Sequence, residues 1–167
     1  MKIKNDIRVC KDSKNIFHEF RLQAAQENIV LRVRINAAEK LNVSESSLKN
    51  YETGVTHVVP PDVVFRMSEV YNAPELRNHY CRYMCPLGEK CAPKLDTDQL
   101  LLDRLTIKLL HSIGDVANAK DMLIEIAADG IIDDKERPIL EEILESLDNI
   151  SKNAQELRLW AEKELQI

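Results

Sequence analysis

The C-terminal half of the sequence carries two long series of residues, nearly all apolar, that recur in alternating steps of three and four positions. The first series begins at Leu102 and ends at Ile126, and the second begins at Leu140 and ends at Ala161. This spacing places successive side chains on one face of an α-helix, and its persistence over several heptads is typical of helices that pack as coiled coils. The Asp129-Gly130 pair interrupts the pattern. The two series therefore predict an antiparallel helical hairpin joined by a tight turn.

Further apolar side chains make the predicted hairpin too apolar to stand alone in water. They lie outside the two series and widen the apolar stripe of each helix: Leu101, Leu110, Ile113, Ile124, Ile139, Leu144, Trp160 and Leu165. A lone pair of helices cannot cover so much apolar surface, whereas a second copy can cover it by forming a four-helix bundle. We therefore expect residues 96–167 to be a dimerisation domain and the protein to be a homodimer.

The rest of the sequence also favours helices over strands. Only four glycines occur and aromatic residues make up 5% of the chain, while residues with high helix propensity are abundant. An all-α fold is the expectation. The densest cluster of helix-ending residues, Pro86, Gly88 and Pro93, separates an N-terminal domain from the hairpin. The predicted parts are a domain of residues 1–80, a linker of residues 81–95 and the hairpin domain of residues 96–167.

Helix start and stop signals divide the N-terminal domain into five short helices. Asn42 can adopt the left-handed conformation that ends a helix, and Ser44 offers a hydroxyl that caps the next one. Gly54 ends that helix, and Pro61 and Pro74 open the two that follow, because proline is tolerated in the first turn. The predicted helices cover residues 14–27, 32–41, 44–53, 61–71 and 74–83, to within a few positions.

The formal net charge of −5 is unevenly distributed along the chain. Lys and Arg outnumber Asp and Glu by 12 to 10 in residues 1–80, whereas residues 81–167 carry 11 basic and 18 acidic residues. The acidity therefore lies in the C-terminal half. The small basic surplus of the N-terminal half is weak support for phosphate binding, and it argues against tight, unspecific attachment to nucleic acid.

Residues 34–54, RINAAEKLNVSESSLKNYETG, contain the pattern of a helix-turn-helix motif. Ala38 is small, as is needed where two helices cross closely, and Leu41, Val43 and Leu48 are expected to fill the wedge between them. A turn of about three residues fixes the crossing angle, so that the second helix can protrude and enter a major groove.

This segment resembles the DNA-binding domain of the phage-repressor/Cro family of regulators, which includes the xenobiotic response element type. The resemblance covers residues from about 14 to 76, and it rests on Ala38, on the run from Glu39 to Ser44, on Leu48 and on the Asn50–Gly54 ending. The whole chain looks like a bacterial group of this family in which a Cys-x3-Cys-Pro-[Leu/Ile]-Gly segment and a two-helix C-terminal region follow the DNA-binding domain.

The resemblance implies roles for individual residues. Arg34 matches a position that contacts phosphate or a base near the edge of the site, and the base-reading positions are Glu45, Ser46 and Asn50. Candidates for contacts with the DNA backbone are Ser44, Ser47 and Lys49. The chain departs from the family at two positions, since Gln is usual at the place of Arg34 and Arg or Gln at that of Glu45. Glu can accept a hydrogen bond from cytosine N4, and Asn pairs with adenine N6 and N7.

These features together predict a sequence-specific DNA-binding transcriptional regulator, a repressor, that binds double-stranded DNA as a homodimer. Two alternatives stay open at this point. The first is a protein-interaction adaptor that keeps the repressor-like fold without binding DNA. The second is a regulator with a metal or redox sensor built from cysteines. We do not expect an enzyme, because no phosphate-binding glycine loop, nucleophile elbow or catalytic pairing of histidine with Ser or Cys is present.

The cysteines Cys81, Cys85 and Cys91 are the only candidates for such a sensor. Strong zinc sites show Cys-x2-Cys pairs, and the spacing here does not match. Cys81 and Cys85 lie one helical turn apart, so we favour burial of both thiols in the interface between the two domains, where free cysteine behaves as a small hydrophobe. We expect neither a metal nor another cofactor.

Targeting signals are lacking in the sequence. No apolar run approaches the roughly 20 residues that a membrane-spanning helix needs, and the N-terminus is not followed by the apolar core of a signal peptide. The expectation is a cytoplasmic protein that makes no contact with a membrane. In such a reducing compartment, the four cysteines would not form structural disulfides.

Overall fold

The structure, a computed structural model, describes residues 15–56, 58–97, 100–127 and 131–165 of the chain. Within these ranges it contains eight α-helices, one short 3₁₀ helix and no strand, which confirms the predicted all-α class. The α-helices are α1 Ile16–Glu27, α2 Arg34–Lys40, α3 Glu45–Thr53, α4 Pro61–Val70, α5 Glu75–Tyr83, α6 Gly88–Cys91, α7 Leu102–Ile126 and α8 Arg137–Leu165, and the 3₁₀ helix is Ile29–Arg32. In the described ranges, no helix has the length and apolar character to span a membrane.

The chain divides into two compact units, Met1–Leu76 and Arg77–Ile167. Helices α1 to α5 start and end within two residues of the five predicted helices. The 3₁₀ helix between α1 and α2 was not predicted. It forms because Asn28 Oδ1 accepts a hydrogen bond from the Val30 amide at 3.3 Å, and it moves the start of the second helix to Arg34.

Local caps explain where the helices of the N-terminal unit begin and end. Asn15 Oδ1 accepts a hydrogen bond from the Phe17 amide and starts α1. Asn42 and Gly54 end α2 and α3 with φ of 53° and 70°, the left-handed region that Asn and Gly tolerate better than other residues. The helices then close around a small apolar core, to which Phe17, Leu31, Leu41, Leu48, Met67 and Leu76 each contribute a fully buried side chain.

In the C-terminal unit, α7 and α8 lie side by side and run in opposite directions. Ala119 and Ile126, in the second half of α7, pack with Ile143 in the first half of α8. Towards the other end of the pair, Asn153 Nδ2 donates to Ser112 Oγ at 3.2 Å. Later positions of α8 thus meet earlier positions of α7, which defines an antiparallel hairpin. Residues 128–130, which include the predicted break at Asp129-Gly130, lie outside the described residues.

The start of α8 is built by a capping box, in which two residues satisfy each other's backbone amides. Asp133 Oδ1 accepts hydrogen bonds from the amides of Lys135 and Glu136 at 2.7 and 3.0 Å. In return, the Asp133 amide donates to Glu136 Oε2 at 3.0 Å. The side chain of Asp133 thus caps the turn that leads into α8.

The residues buried between α7 and α8 differ in part from the predicted seams. On α7, the buried residues Leu105, Ser112, Ala119 and Ile126 follow one another every seven positions, whereas Leu102 and Leu123 are 46% and 41% exposed. On α8, the second predicted series continues from Ile143 to Leu147, which is 41% exposed. The buried residues of α8, Ile143, Glu156 and Leu159, do not follow one seven-residue repeat, because a straight α-helix has about 3.6 residues per turn and its contact face drifts from that repeat. Asn153 and the buried Glu156 lie at the shifted positions of α8 and make polar contacts there.

Gly114 provides a direct test of how α7 is surrounded. It lies in the middle of the helix, and a Cβ added there would meet no atom within 4 Å. Replacing Gly114 with alanine should therefore raise the free energy of unfolding by about 0.5–1 kcal/mol, because alanine loses less backbone freedom on folding. Chemical denaturation of the two proteins measures the difference. A loss of stability in the variant would mean that α7 has a close neighbour at Gly114.

Candidate nucleic-acid interface

Helices α2 and α3 are joined by a tight turn that other parts of the unit hold in shape. The Val43 amide donates to Ala38 O at 3.0 Å and so folds the chain back at the end of α2. From α4, Arg66 Nε donates to Leu41 O at 2.8 Å, which satisfies a carbonyl left free at the helix end. Ala38 and Leu41 are buried, while Val43 is only half-buried and fills less of the wedge than expected.

The first turn of α3 is capped by Ser44. Its Oγ accepts a hydrogen bond from the Ser47 amide at 3.0 Å, as the sequence predicts. The same oxygen lies 2.9 Å from Ser46 Oγ and 2.8 Å from Ser47 Oγ. The three hydroxyls thus form an exposed cluster at the start of α3, with Ser44 already engaged in holding the helix end.

One side of α3 is buried and the other faces solvent. Leu48 and Glu52, four residues apart, form the buried side. Ser44, Glu45, Ser46 and Lys49 are exposed, and Ser47 and Asn50 are half-buried. The structure therefore places the predicted site residues of this segment together on one short helix and its cap, four of them exposed and two half-buried.

Arg34, the remaining predicted site residue, takes part in a buried ion-pair network. Its Nε donates to Glu52 Oε2 at 2.9 Å. Arg21 of α1 binds the same carboxylate with two nitrogens: Nε pairs with Oε1, and Nη2 donates to Oε2 at 3.1 Å. The side chains of Arg21 and Glu52 are 3% and 1% exposed, whereas that of Arg34 is 30% exposed. Arg34 is thus held at the surface by a carboxylate that lies beneath it.

Arg21 Nη1 extends this network to the backbone, since it donates to Leu31 O at 2.9 Å and to Arg32 O at 3.1 Å. One guanidinium therefore ties the 3₁₀ helix, α1 and α3 together. A buried charge is costly unless it is paired and hydrogen-bonded, and here both ions satisfy that condition. The network fixes the end of α3 relative to the start of α2.

Tyr71 lies close enough to this network to be affected by it. Burial raises the pKa of its phenol far above the ordinary value, the charge of Glu52 raises this pKa further, and Arg21 acts in the opposite direction. No hydrogen-bond partner for Tyr71 Oη exists among the described residues. The phenol therefore stays neutral at physiological pH.

Arg21 and Glu52 were not identified from the sequence. A signal was present for Arg21, because it lies four residues after Phe17 and four before Ala25, on the side of α1 that is otherwise apolar and buried. An arginine in such a position needs an acidic partner in the interior. For Glu52 the only signal was its place one turn after Leu48, on the buried side of α3.

The exposed side of α3 carries few charges. Glu45 and Lys49 are one acid and one base, and the remaining outward side chains are hydroxyls and an amide. Such a surface offers hydrogen-bond donors and acceptors in a weak electrostatic field. It can recognise a patterned polar partner, and it provides little unspecific attraction for phosphates.

The expectation that Cys81 and Cys85 are both buried is wrong. Cys81 is exposed, Cys85 is half-buried and Cys91 is exposed, and all three thiols are free. The buried side of α5 passes through Leu76 and Tyr80, and Cys81 follows one residue later, which turns it away from the interior. Among the described residues, no group of three or more His, Cys, Asp and Glu side chains could hold a metal ion. Cys10 lies outside the described residues.

Comparisons of the chain with protein-family models, with curated proteins and with solved structures gave no match.

Proposed function

We propose that the protein is a sequence-specific DNA-binding transcriptional regulator, a repressor, that acts as a homodimer and carries a helix-turn-helix of the phage-repressor/Cro type in α2 and α3. The observation that carries this proposal is the placement of α3. Leu48 and Glu52 anchor the helix from beneath, while Glu45, Ser46 and Lys49 face outward with no described residue of the unit covering them. A regulator of this kind acts by binding, without catalysis.

The size of α3 fits this role. An α-helix with its side chains is about 10–12 Å across, and the major groove of B-DNA is about 12 Å wide. In the proposed complex, Asn50 would bond the N6 and N7 edge of an adenine, and Glu45 would accept from N4 of a cytosine. Ser46 would reach a third base, while Ser44, Ser47 and Lys49 would contact the DNA backbone.

Arg34 would provide a positioned contact with phosphate. Its Nε is engaged by Glu52, which restricts the rotation of the guanidinium, and 30% of its side chain stays exposed. A guanidinium binds phosphate oxygens with paired, charge-assisted hydrogen bonds, and these gain strength when the group is oriented in advance. Glu52 would therefore be a positioning residue for this contact.

A mobility-shift assay across salt concentrations tests the proposal, with DNA that the wild-type protein selects from a random-sequence pool. Asn50→Ala should weaken binding by about 5- to 150-fold, which corresponds to the 1–3 kcal/mol of a bidentate base contact. Arg34→Ala should weaken binding to all sequences. It should also reduce the slope of the logarithm of the binding constant against the logarithm of the salt concentration, by about one unit for each phosphate that the variant no longer binds. Exposed Asn149 on α8 provides the matched control, Asn149→Ala, which should bind as the wild type does. If neither Asn50→Ala nor Arg34→Ala changes binding, α3 does not dock in the groove.

The balanced charge of the α3 surface favours one other function, that of a protein-interaction adaptor with the same fold. A carboxylate at Glu45 opposes phosphate binding, and only Lys49 offsets it on the exposed side of the helix. An adaptor would select no DNA sequence from the random pool, and its weak DNA binding would not respond to Asn50→Ala. The mobility-shift assay therefore separates the two functions.

A further inference from the structure

The seam is the line along which α7 and α8 contact each other. It leaves two further sides of the hairpin, and the seam residues define where these two sides lie. On α7 the seam passes through Ser112 and Ala119, and on α8 it passes through Ile143. Each step of one residue turns the side chain by about 100° around a helix. The residues directly before and directly after a seam residue therefore point to opposite sides of the hairpin.

The structure shows that residues before the seam on both helices share one side. Asn118 precedes Ala119, Glu142 precedes Ile143, and both line a single groove of about 210 Å³. Asp115 and Ser146 line the same groove, so this side of the hairpin is mostly polar. Because α7 and α8 are antiparallel, the residues that follow the seam share the opposite side in the same way.

That opposite side is exposed and largely apolar, although it also carries Thr106 and Lys120, which follow the seam residues Leu105 and Ala119. Ile113 follows Ser112 and is 47% exposed, and Leu144 follows Ile143 and is 51% exposed. Leu102 and Ile124 lie eleven residues before and after Ile113, which is three helical turns in each direction, and Leu147 lies one turn after Leu144. We call these five residues the outer apolar face: Leu102, Ile113, Ile124, Leu144 and Leu147.

We propose that the outer apolar face binds the identical face of a second copy of this chain and so forms a four-helix bundle. This inference rests on the homodimer of the proposed function and assigns its contact surface. The 25 residues of α7 extend over roughly 37 Å, and two packed helices are about 20 Å wide. The side of the hairpin that carries the face therefore measures roughly 750 Å², close to the ~800 Å² that each partner contributes to a standard interface.

The dimensions and chemistry of the face favour a second copy over other occupants. Monomeric proteins seldom expose contiguous apolar patches larger than a few hundred Å². The face consists of apolar residues spaced along α7, with Lys120 between Ile113 and Ile124, and of Leu144 and Leu147 on one turn of α8. A two-fold axis can lay this face of one copy on the identical face of the other. The other candidate within the chain, residues 1–14, offers only Met1, Ile3, Ile7 and Val9 as large aliphatic side chains, too few to cover the face.

The molar mass in solution tests this proposal, measured by sedimentation velocity at micromolar concentration without DNA. The wild-type protein should have twice the chain mass of 19.2 kDa. Ile113→Glu and Leu144→Glu each place a charge in the interface and should raise the dimer dissociation constant by about 100-fold or more. The matched control is Ile107→Glu on the same helix. Ile107 is 69% exposed, and it lies two residues after the seam residue Leu105, so it points away from α8 and from the face.

Each outcome decides the proposal. A wild-type protein with the mass of a single chain overturns it, whether another protein or residues 1–14 cover the face. Dimers that persist in both glutamate variants, or that dissociate equally with Ile107→Glu, overturn the assignment of this face. Far-ultraviolet circular dichroism verifies that each variant keeps its helices. Because no DNA is present, a failure of DNA binding leaves the result unaffected, and the two proposals can fail separately.

Discussion

Replacing Glu52 with alanine is expected to lower the free energy of unfolding of the N-terminal unit by about 3–5 kcal/mol, because the change removes one partner of a buried ion pair. The Arg21 side chain is 3% exposed and would keep its charge in the interior without a carboxylate. Urea denaturation of the two proteins, followed by circular dichroism, measures the loss. DNA binding should fall in the same variant, since Arg34 loses the group that orients it.

A double variant separates the cost of the unpaired charge from the cost of the missing side chain. Arg21→Met combined with Glu52→Leu fills the same space with apolar groups and leaves no buried charge. Buried ion pairs replaced in this way often show little change in stability, so the double variant should recover most of what Glu52→Ala loses. A double variant as unstable as Glu52→Ala would show that the hydrogen bonds of Arg21 to Leu31 O and Arg32 O contribute more to the free energy of unfolding than the ion pair does.

Replacing Leu48 with alanine is expected to cost about 2–5 kcal/mol, the range found when a fully buried leucine is truncated. Leu48 is 0% exposed, and it is the only fully buried aliphatic side chain that α3 contributes to the core. Its loss should loosen α3 from the unit, so we expect weaker binding of the selected DNA in addition to lower stability. Chemical denaturation and the mobility-shift assay measure the two effects.

Leu22 on α1 provides the control for this prediction. It is the same residue type in the same unit, and it is 41% exposed. Leu22→Ala should cost less than about 1 kcal/mol, because a partly exposed side chain leaves no closed cavity when it is truncated. Equal losses in Leu22→Ala and Leu48→Ala would contradict the assignment of Leu48 as the apolar anchor of α3.

Leu48 and Glu52 hold α3 by different physical means. Leu48 contributes burial of apolar surface, which has no direction, whereas Glu52 contributes hydrogen bonds to two guanidinium groups at defined angles. The first keeps the helix attached to the unit. The second fixes its rotation relative to α2, and the rotation decides which side chains a partner would meet. Loss of either should therefore affect recognition more than helix content.

The positions of the helices in the N-terminal unit follow from local signals in the sequence. Ser44, Asn42 and Gly54 act on backbone groups within a few residues of themselves, and in the C-terminal unit the Asp133 capping box does the same. Interactions of such short range are present in the sequence whatever the rest of the chain does. The outward position of Ser46 could also be predicted from the helical period once Leu48 is known to be buried. Glu45 lies three residues before Leu48, on the same helical face, and is exposed in the first turn of α3.

Tertiary packing determines which polar groups are buried and which apolar groups stay exposed. Arg21 and Glu52 are 31 residues apart, and each lies on the buried side of its own helix, where a charged side chain is rare. No local feature of the sequence indicates that Arg21 and Glu52 form an ion pair, or that Arg34 binds the same carboxylate. The register of the hairpin was decided in the same way, since the heptad pattern allows several contact faces and the bonds of Asn153 and Glu156 across α7 and α8 select one. Pairings between distant segments depend on how the whole chain packs, and local propensities carry no information about that choice.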